Sequence, residues 1–452
     1  MEKYELLPTE ENLIETLYQN IIGRNKDIVY FYNILQAQEM ASFIAIDGRW
    51  GSGKTFFVRQ TKMVINALNP SSNIDEELRE KIISSLPFVK KQREENFSIA
   101  VYYDAWKDDN DTDPILSIIY EITRQLSVDF SITDRSVFKV VGAIIEAVSG
   151  RNINGIKDAL ESDDTFTKFK AQKDIAENIK SFFGDILAER GNRLVIFIDE
   201  LDRCRPSFAI QLLEQIKHYI YDDRITFVFS VNLEQLQHTI KRYYGDDFDS
   251  CRYLDRFFDL RISIPPANME KFYEKIGLES SYWVDVFTKQ VIKIFNFELR
   301  EITRLYSQVK VAVYEPTHGS NKDEFAFLDG NGRKIILICI VPLLIGLRIA
   351  DISKYSNFVN GNDMEPLKML LEIDEENRIL SGMIDKNETF EAEDGKKLIT
   401  RDEVIEKLYN AIFADKNYGS GYFIRMGEYE FSKDSKKFAL EAASMMTTFA
   451  ML

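Results

Sequence analysis

The segment Gly48-Arg49-Trp50-Gly51-Ser52-Gly53-Lys54-Thr55 constrains this chain more than any other. It fits the phosphate-loop pattern G-x-x-x-x-G-K-[ST] at every fixed position. The glycines let the backbone turn so that successive N–H groups converge on an anion. Lys54 reaches the β- and γ-phosphates, and the Thr55 hydroxyl holds Mg²⁺. The flanks agree. Ser42-Phe43-Ile44-Ala45-Ile46 reads as a buried strand entering the loop, and Thr55-Phe56-Phe57-Val58-Arg59-Gln60 as a helix whose N-terminus faces the phosphates.

Apolar residues at helical spacing (Leu13, Leu17, Ile21, Ile22) mark residues 9–40 as helical, with a break at Gly23-Arg24-Asn25. Further strands are expected at Phe97–Tyr103, Arg193–Ile198 and Ile225–Val231, and a short one at Leu260–Ile264 stops at Pro265-Pro266. Helices are expected at 114–126 and 208–221, and throughout 127–190 with a hinge at Ser149–Gly155. Continuously apolar strands alternating with helices imply an α/β fold, a parallel sheet sandwiched by helices. The expected organisation is a core over 1–266 with a helical insertion at about 127–190, a helical lid over 267–315, and a mostly α-helical C-terminal domain over 316–452. The stretch 374–400 has room for a short hairpin. The longest apolar run, Ile335–Leu347, contains Pro342 and falls short of the roughly 20 residues of a spanning helix. It reads as a buried helix pair or a kinked core helix, with a re-entrant membrane segment as the alternative.

Lys plus Arg number 57 against 73 Asp plus Glu, a formal charge of −16. Nucleic-acid binding rests on clustered cations, so this balance gives no strong nucleic-acid signal, although a local basic groove stays open. Cys204, Cys251 and Cys339 are odd in number and widely spaced, which suits reduced thiols in a cytoplasmic protein. His218, His238 and His318 show no metal-ligand spacing, and the polar start Met1–Glu5 shows no secretory signal.

A phosphate loop needs a carboxylate on a neighbouring strand to complete a Mg²⁺ site. The apolar strand Leu194–Ile198 ends in Asp199-Glu200-Leu201-Asp202-Arg203-Cys204. Asp199 is placed to bind magnesium with Thr55, through water, and Glu200 to polarise the attacking water. Asp202 either orients Glu200 or meets a neighbouring subunit. An acidic helix cap would explain the acidic turn but not the apolar strand running into it. The nucleotide contacts expected are Gly48, Trp50, Gly51, Ser52, Gly53, Lys54, Thr55 and Phe56. Asn232 follows the strand Ile225–Val231 and is either a contact to the γ-phosphate or water, or a turn residue before a helix. Arg256 is either a transition-state cation, from the same chain or across a subunit interface, or the partner of Asp255 or Asp259 in a surface ion pair. Arg300 and Arg304 are four apart on one helix face, so either serves as a lid arginine.

These residues resemble the KAP family of P-loop NTPases, a branch of the additional-strand NTPases that includes STAND-type ATPases. The resemblance rests on GRWGSGKT with Trp50, YYDAW ending at Trp106, DELDRCRP from Asp199 to Pro206, the helix Leu212–Lys217, YLDRFFDL with Arg256, and the Pro265 stop. It spans roughly residues 10–310. It implies ATP and Mg²⁺ as ligands and favours Arg300 over Arg304 as the lid arginine. Relatives usually carry Asp-Asp where this chain has Asp199-Glu200, and often Lys at the Arg256 position. Many also insert transmembrane helices between the two nucleotide motifs, where residues 127–190 here are amphipathic. The resemblance is therefore to a soluble member. It implies either bacterial phage-exclusion and defence ATPases or membrane-associated scaffolds of animals. The expected activity is Mg²⁺-dependent NTP hydrolysis coupled to closure or homo-oligomerisation. A separate effector is expected, because residues 310–452 contain nothing nuclease-, protease- or deaminase-like. The alternative is a nucleotide-gated scaffold with little turnover.

Overall fold

The computed structural model describes residues 7–87, 97–111, 113–126, 179–220, 222–278, 282–314, 331–374, 378–391, 395–414 and 422–444. The hinge expected at Ser149–Gly155, and most of the insertion around it, lie outside the described residues. By its internal contacts the chain divides into two compact units, Leu7–Phe272 and Tyr273–Leu452.

The first unit holds helices α1 (Glu10–Tyr18) and α2 (Asn25–Gln36), strand β1 (Ser42–Asp47), helices α3 (Lys54–Leu68) and α4 (Glu76–Ser84), strand β2 (Ser98–Asp104) and helix α5 (Pro114–Gln125). After a helical stretch at 179–190 come β3 (Arg193–Asp199), α6 (Pro206–Tyr219), β4 (Ile225–Val231), α7 (Leu233–Tyr244), α8 (Ser250–Phe257) and β5 (Leu260–Ser263). Local chemistry sets several starts. Thr9, Asp75 and Asp113 cap α1, α4 and α5 with their side-chain oxygens, and Pro114 opens α5 where its missing N–H is no loss.

All five strands are parallel, in the order β2-β3-β4-β1-β5. Alternate side chains serve opposite layers. Ile44, Ile46, Val195, Phe197 and Val228 pack with α2 and α3, whereas Phe43, Ala45, Ile196, Ile198, Phe227 and Phe229 pack with α5, α6, α7 and α8. One expectation is corrected here. The carboxylate strand β3 does not border the phosphate-loop strand β1, because β4 lies between them. β4 is buried along its whole length and pairs on both edges, so the sheet places it centrally. Its register still aligns the site: Asp47 lies opposite Val231, and Asp199 opposite Ser230, at the C-terminal ends of the strands.

The second unit contains α9 (Trp283–Phe295) and α10 (Leu299–Val309), the latter opened by a reciprocal Glu298–Glu301 capping box. The apolar run is a kinked core helix. An α-helical turn, Asn331–Ile335, passes through a π-helical turn, Ile336–Ile340, into α-helix Val341–Ala350. The widened turn comes just before Pro342, which has no N–H to give to the preceding turn. Ile335 through Leu347 are buried, and Gly346 lets α9 approach: a Cβ there would lie 2.3 Å from Val291 Cγ1. No described helix is long and apolar enough to cross a membrane. The stretch 374–400 holds two strands, Glu388–Thr389 and Lys397–Leu398, but they pair in parallel and so form no hairpin. The antiparallel hairpin lies later, Phe423–Met426 with Tyr429–Ser432, turning at Gly427 with φ +53°.

Candidate functional site

The loop between β1 and α3 takes the conformation its glycines permit. Gly51 and Gly53 have φ of +84° and +88°. At Gly48 a Cβ would lie 2.6 Å from Ile264 Cγ2, so only glycine fits. The first helical hydrogen bond runs from Phe57 N–H to Gly53 O, which leaves the amides of Lys54, Thr55 and Phe56 without acceptors in the helix. Together with the positive end of α3 they form an anion cradle. The Phe56 side chain is buried, so this residue offers only its amide.

The Lys54 ammonium curls under the loop, donating to Gly48 O at 2.6 Å and Arg49 O at 3.1 Å. Burial pushes its pKa down, and Asp202, Asp199, Glu200 and Asp47 pull it partly back. Arg24, from the break between α1 and α2, is buried and donates to Ser52 O at 2.9 Å, steadying the loop from below. Sequence reasoning took Gly23-Arg24-Asn25 only as a break.

Asp199 is 1% exposed and accepts from Tyr102 Oη and from the Glu200 N–H, both at 3.0 Å. By strand alternation Asp199 continues the Phe197 face and Ser230 the Val228 face, so both point toward the layer of α3. The hydroxyls of Ser52 and Ser230 are buried without a hydrogen-bond partner. An orphan of this kind costs about 1–3 kcal/mol; two of them beside an anion cradle fit a polar ligand. The donor set also fits Mg²⁺, which takes one or two protein oxygens, here Thr55 and Asp199, and fills the rest with water and phosphate. No cluster of three His, Cys, Asp or Glu suited to an all-protein metal cage occurs among the described residues.

Glu200 follows in a left-handed conformation, φ +61°, uncommon for a residue with a side chain. Its Oε2 lies 2.5 Å from Arg203 Nε. Burial and the neighbouring Asp199 outweigh that cation and push the Glu200 pKa up to about 7. Asp202, also raised by burial, accepts from Trp50 Nε1 at 2.5 Å and so ties the loop to the end of β3. The Arg203 guanidinium lies 5.8 Å from the Trp50 ring and 5.4 Å from the Trp106 ring.

Of the remaining sequence candidates, Asn232 lies beside the site, its backbone N–H on the Asp202 carboxylate, and Arg256 does not. Asn232 caps α7, accepting from the Gln235 N–H at 3.4 Å, one residue beyond β4. Arg256 lies at the opposite end of the sheet. Lys217 Nζ donates to Arg256 O at 2.9 Å and sits 5.1 Å from the Phe43 ring, and Asp259 N–H donates to Phe43 O. At about 3.3 Å per strand residue, Phe43 and Gly48 are about 16 Å apart, farther than an arginine side chain reaches. The Arg256 side chain is exposed and forms no ion pair among the described residues: Asp255 pairs with Arg261, and Asp259 accepts from the Phe43 N–H. It lines a groove of about 500 Å³ with Lys217, Phe248, Arg252 and Tyr253. Arg300 and Arg304 are exposed on one face of α10, in the second unit.

A family model described as the KAP family P-loop domain matches residues 24–313, well over half of the chain. No curated protein matches it. The match implies that the chain binds a nucleoside triphosphate.

Proposed function

The chain belongs to the KAP family of P-loop NTPases, and we propose that it is a Mg²⁺-dependent ATPase whose turnover drives closure or self-association. The reading extends to a regulatory role in the cytoplasm, in bacterial anti-phage defence, with a separate effector protein; the family resemblance supports that part. The observation that carries the enzymatic part is the convergence of Lys54, Asp199 and Glu200. Asp199 ends β3 and Glu200 follows it; both carboxylates lie close enough to Lys54 to pull its pKa back up against burial, and Asp199 helps to raise that of Glu200.

In this reading the amides of Lys54, Thr55 and Phe56 hold the phosphates, and Lys54 exchanges its loop carbonyls for phosphate oxygens. Thr55 and Asp199 would hold Mg²⁺, which when bound would offset phosphate charge. Glu200 accepts the proton of a water whose oxygen bonds to the γ-phosphorus, and the bond from that phosphorus to the bridging oxygen of ADP breaks. Asn232 lies at the C-terminal end of β4 and fits a second contact to that water. Arg300 closes over the nucleotide as a lid. Arg256 reaches phosphate only from another copy of the chain, which makes assembly part of the cycle.

Phosphate release by the purified chain, dependent on Mg²⁺ and lost in Lys54→Ala and Glu200→Gln, is the expected result. Equal turnover in the parent and both variants would refute it. Mass measurements with and without ATP and Mg²⁺ test assembly: an unchanged monomer would remove the role given to Arg256. The second reading, a nucleotide-gated scaffold, draws on one observation, that Lys54 and Glu200 are already engaged by Gly48 O, Arg49 O and Arg203. Nucleotide that co-purifies with the chain and turns over negligibly would favour it.

A further inference from the structure

The general base assigned above is not free. Glu200 Oε2 is held 2.5 Å from Arg203 Nε, and both side chains are mostly shielded, 17% and 22% exposed. The same guanidinium lies against Trp50 and Trp106, at 5.8 and 5.4 Å from their rings, distances at which a cation and an indole attract. These two indoles are 46% and 52% exposed, large apolar groups left in solvent at the edge of the site. Trp50 belongs to the phosphate loop itself, and its Nε1 is tied to Asp202, next to Arg203 in the chain. A continuous line of contacts therefore runs from the loop through Trp50 and Arg203 to Glu200.

We propose that Arg203 is a positioning residue that restrains Glu200, and that the state of the phosphate loop reaches it through Trp50, with Trp106 as the second wall of the stack. The inference rests on Glu200 acting as the base. A carboxylate oxygen engaged by a guanidinium is a poorer acceptor for the proton of water, so the pair lowers turnover while it lasts. Phosphate entering the loop competes for the peptide groups that set the Trp50 backbone. Movement of that indole removes one face of the stack and loosens Arg203, so filling the loop arms the base. Because filling the loop loosens this stack, removing Arg203 raises the rate and leaves nucleotide binding as tight or tighter, never weaker.

The test uses the full chain. Arg203→Ala is expected to raise kcat about fivefold with KM for Mg·ATP unchanged or lower. Trp106→Leu, at an exposed position, moves kcat in the same direction and covers the case in which Arg203→Ala folds poorly. Arg203→Lys keeps the charge but not the flat surface that stacks on an indole, so it falls between parent and Ala. The chain has three tryptophans, and Trp283 lies in the second unit, so in a Trp283→Phe background all indole emission comes from Trp50 and Trp106. In that background Arg203→Ala without nucleotide is expected to emit as the parent does with Mg²⁺ and a non-hydrolysable ATP analogue. A kcat that stays level or falls in both Arg203→Ala and Trp106→Leu, while Glu200→Gln is inactive, would overturn the restraint alone. Unaltered emission in Arg203→Ala would do the same. Turnover that survives Glu200→Gln would remove the base, and with it this proposal.

Discussion

Asp199 and Asp374 are buried to nearly the same degree, 1% and 2% exposed, in different units of the chain. Their surroundings differ in kind. Asp374 serves backbone: one oxygen accepts from the N–H groups of Ile379 and Leu380, at 2.9 and 3.1 Å. Asp199 is crowded. Besides its two hydrogen bonds it faces Glu200, whose protonation it disturbs, and lies opposite Ser230, whose hydroxyl has no partner. A carboxylate that gathers backbone N–H groups holds a fold together, whereas one set among like charges and an unmatched hydroxyl fits the ligand role proposed for Asp199.

Substitutions sharpen or break this contrast. The largest effect belongs to the crowded site. Glu200→Gln or Lys54→Ala is expected to lower phosphate release by about a hundredfold or more with little change in thermal stability. Near-parental turnover would end the contrast, since the crowding would then serve nothing. Next comes Asp374→Ala, which strands two buried N–H groups and is expected to cost about 2–4 kcal/mol in denaturant unfolding. Asp199→Asn keeps polar groups for Tyr102 and the Glu200 amide and removes repulsion, so it leaves the nucleotide-free chain as stable or more so while lowering turnover. Equal destabilisation by the two aspartate variants would show that both are structural.

Smaller shifts follow. Ser230→Ala removes an unmatched hydroxyl and is expected to change unfolding free energy by less than about 1 kcal/mol, while weakening Mg·nucleotide binding measured by calorimetry. For pH, the Glu200 pKa is raised from 4.5 to about 7 on folding. Between those values the folded state holds more protons than the unfolded one, so this residue's contribution to nucleotide-free stability falls as pH rises from 4.5 through 7. The melting temperature of the parent should therefore decline more steeply over that interval than that of Glu200→Gln, and parallel profiles would count against a shifted carboxyl.

Much of this was legible in the residues. Apolar runs such as Ile225–Val231 mark strands to within a residue because a central parallel strand is buried on both faces. GRWGSGKT and Asp199-Glu200 are local signals, since the loop's chemistry requires those types at those spacings. Strand order is not local. Nothing within Arg193–Asp199 says that β4 separates it from β1. Arg203 was passed over for a related reason, because its grip on Glu200 depends on side-chain direction after a left-handed residue. Arg256 read as a candidate finger from its neighbours in sequence, and only the register of β1 with β5 shows that it sits at the far end of the strands. The hairpin over 423–432 had a usable signal, Gly427-Glu428 between alternating apolar residues, that the helical surroundings obscured.

The central position of β4 has a consequence for how the molecule is made. β1 leaves the ribosome well before either neighbour: its first pairing, Ser42 with Thr226, involves a residue about 180 positions later, and β5 comes later still. At about 5–20 residues per second, the phosphate loop spends on the order of 10–40 seconds attached to a strand with no partner on either edge. During that interval it has no sheet to anchor it, so nascent chains that stop short of Ile225 should not be retained on immobilised ATP. Competence to grip nucleotide thus marks a chain that has been translated through β4, and a product truncated before it is barred from the site.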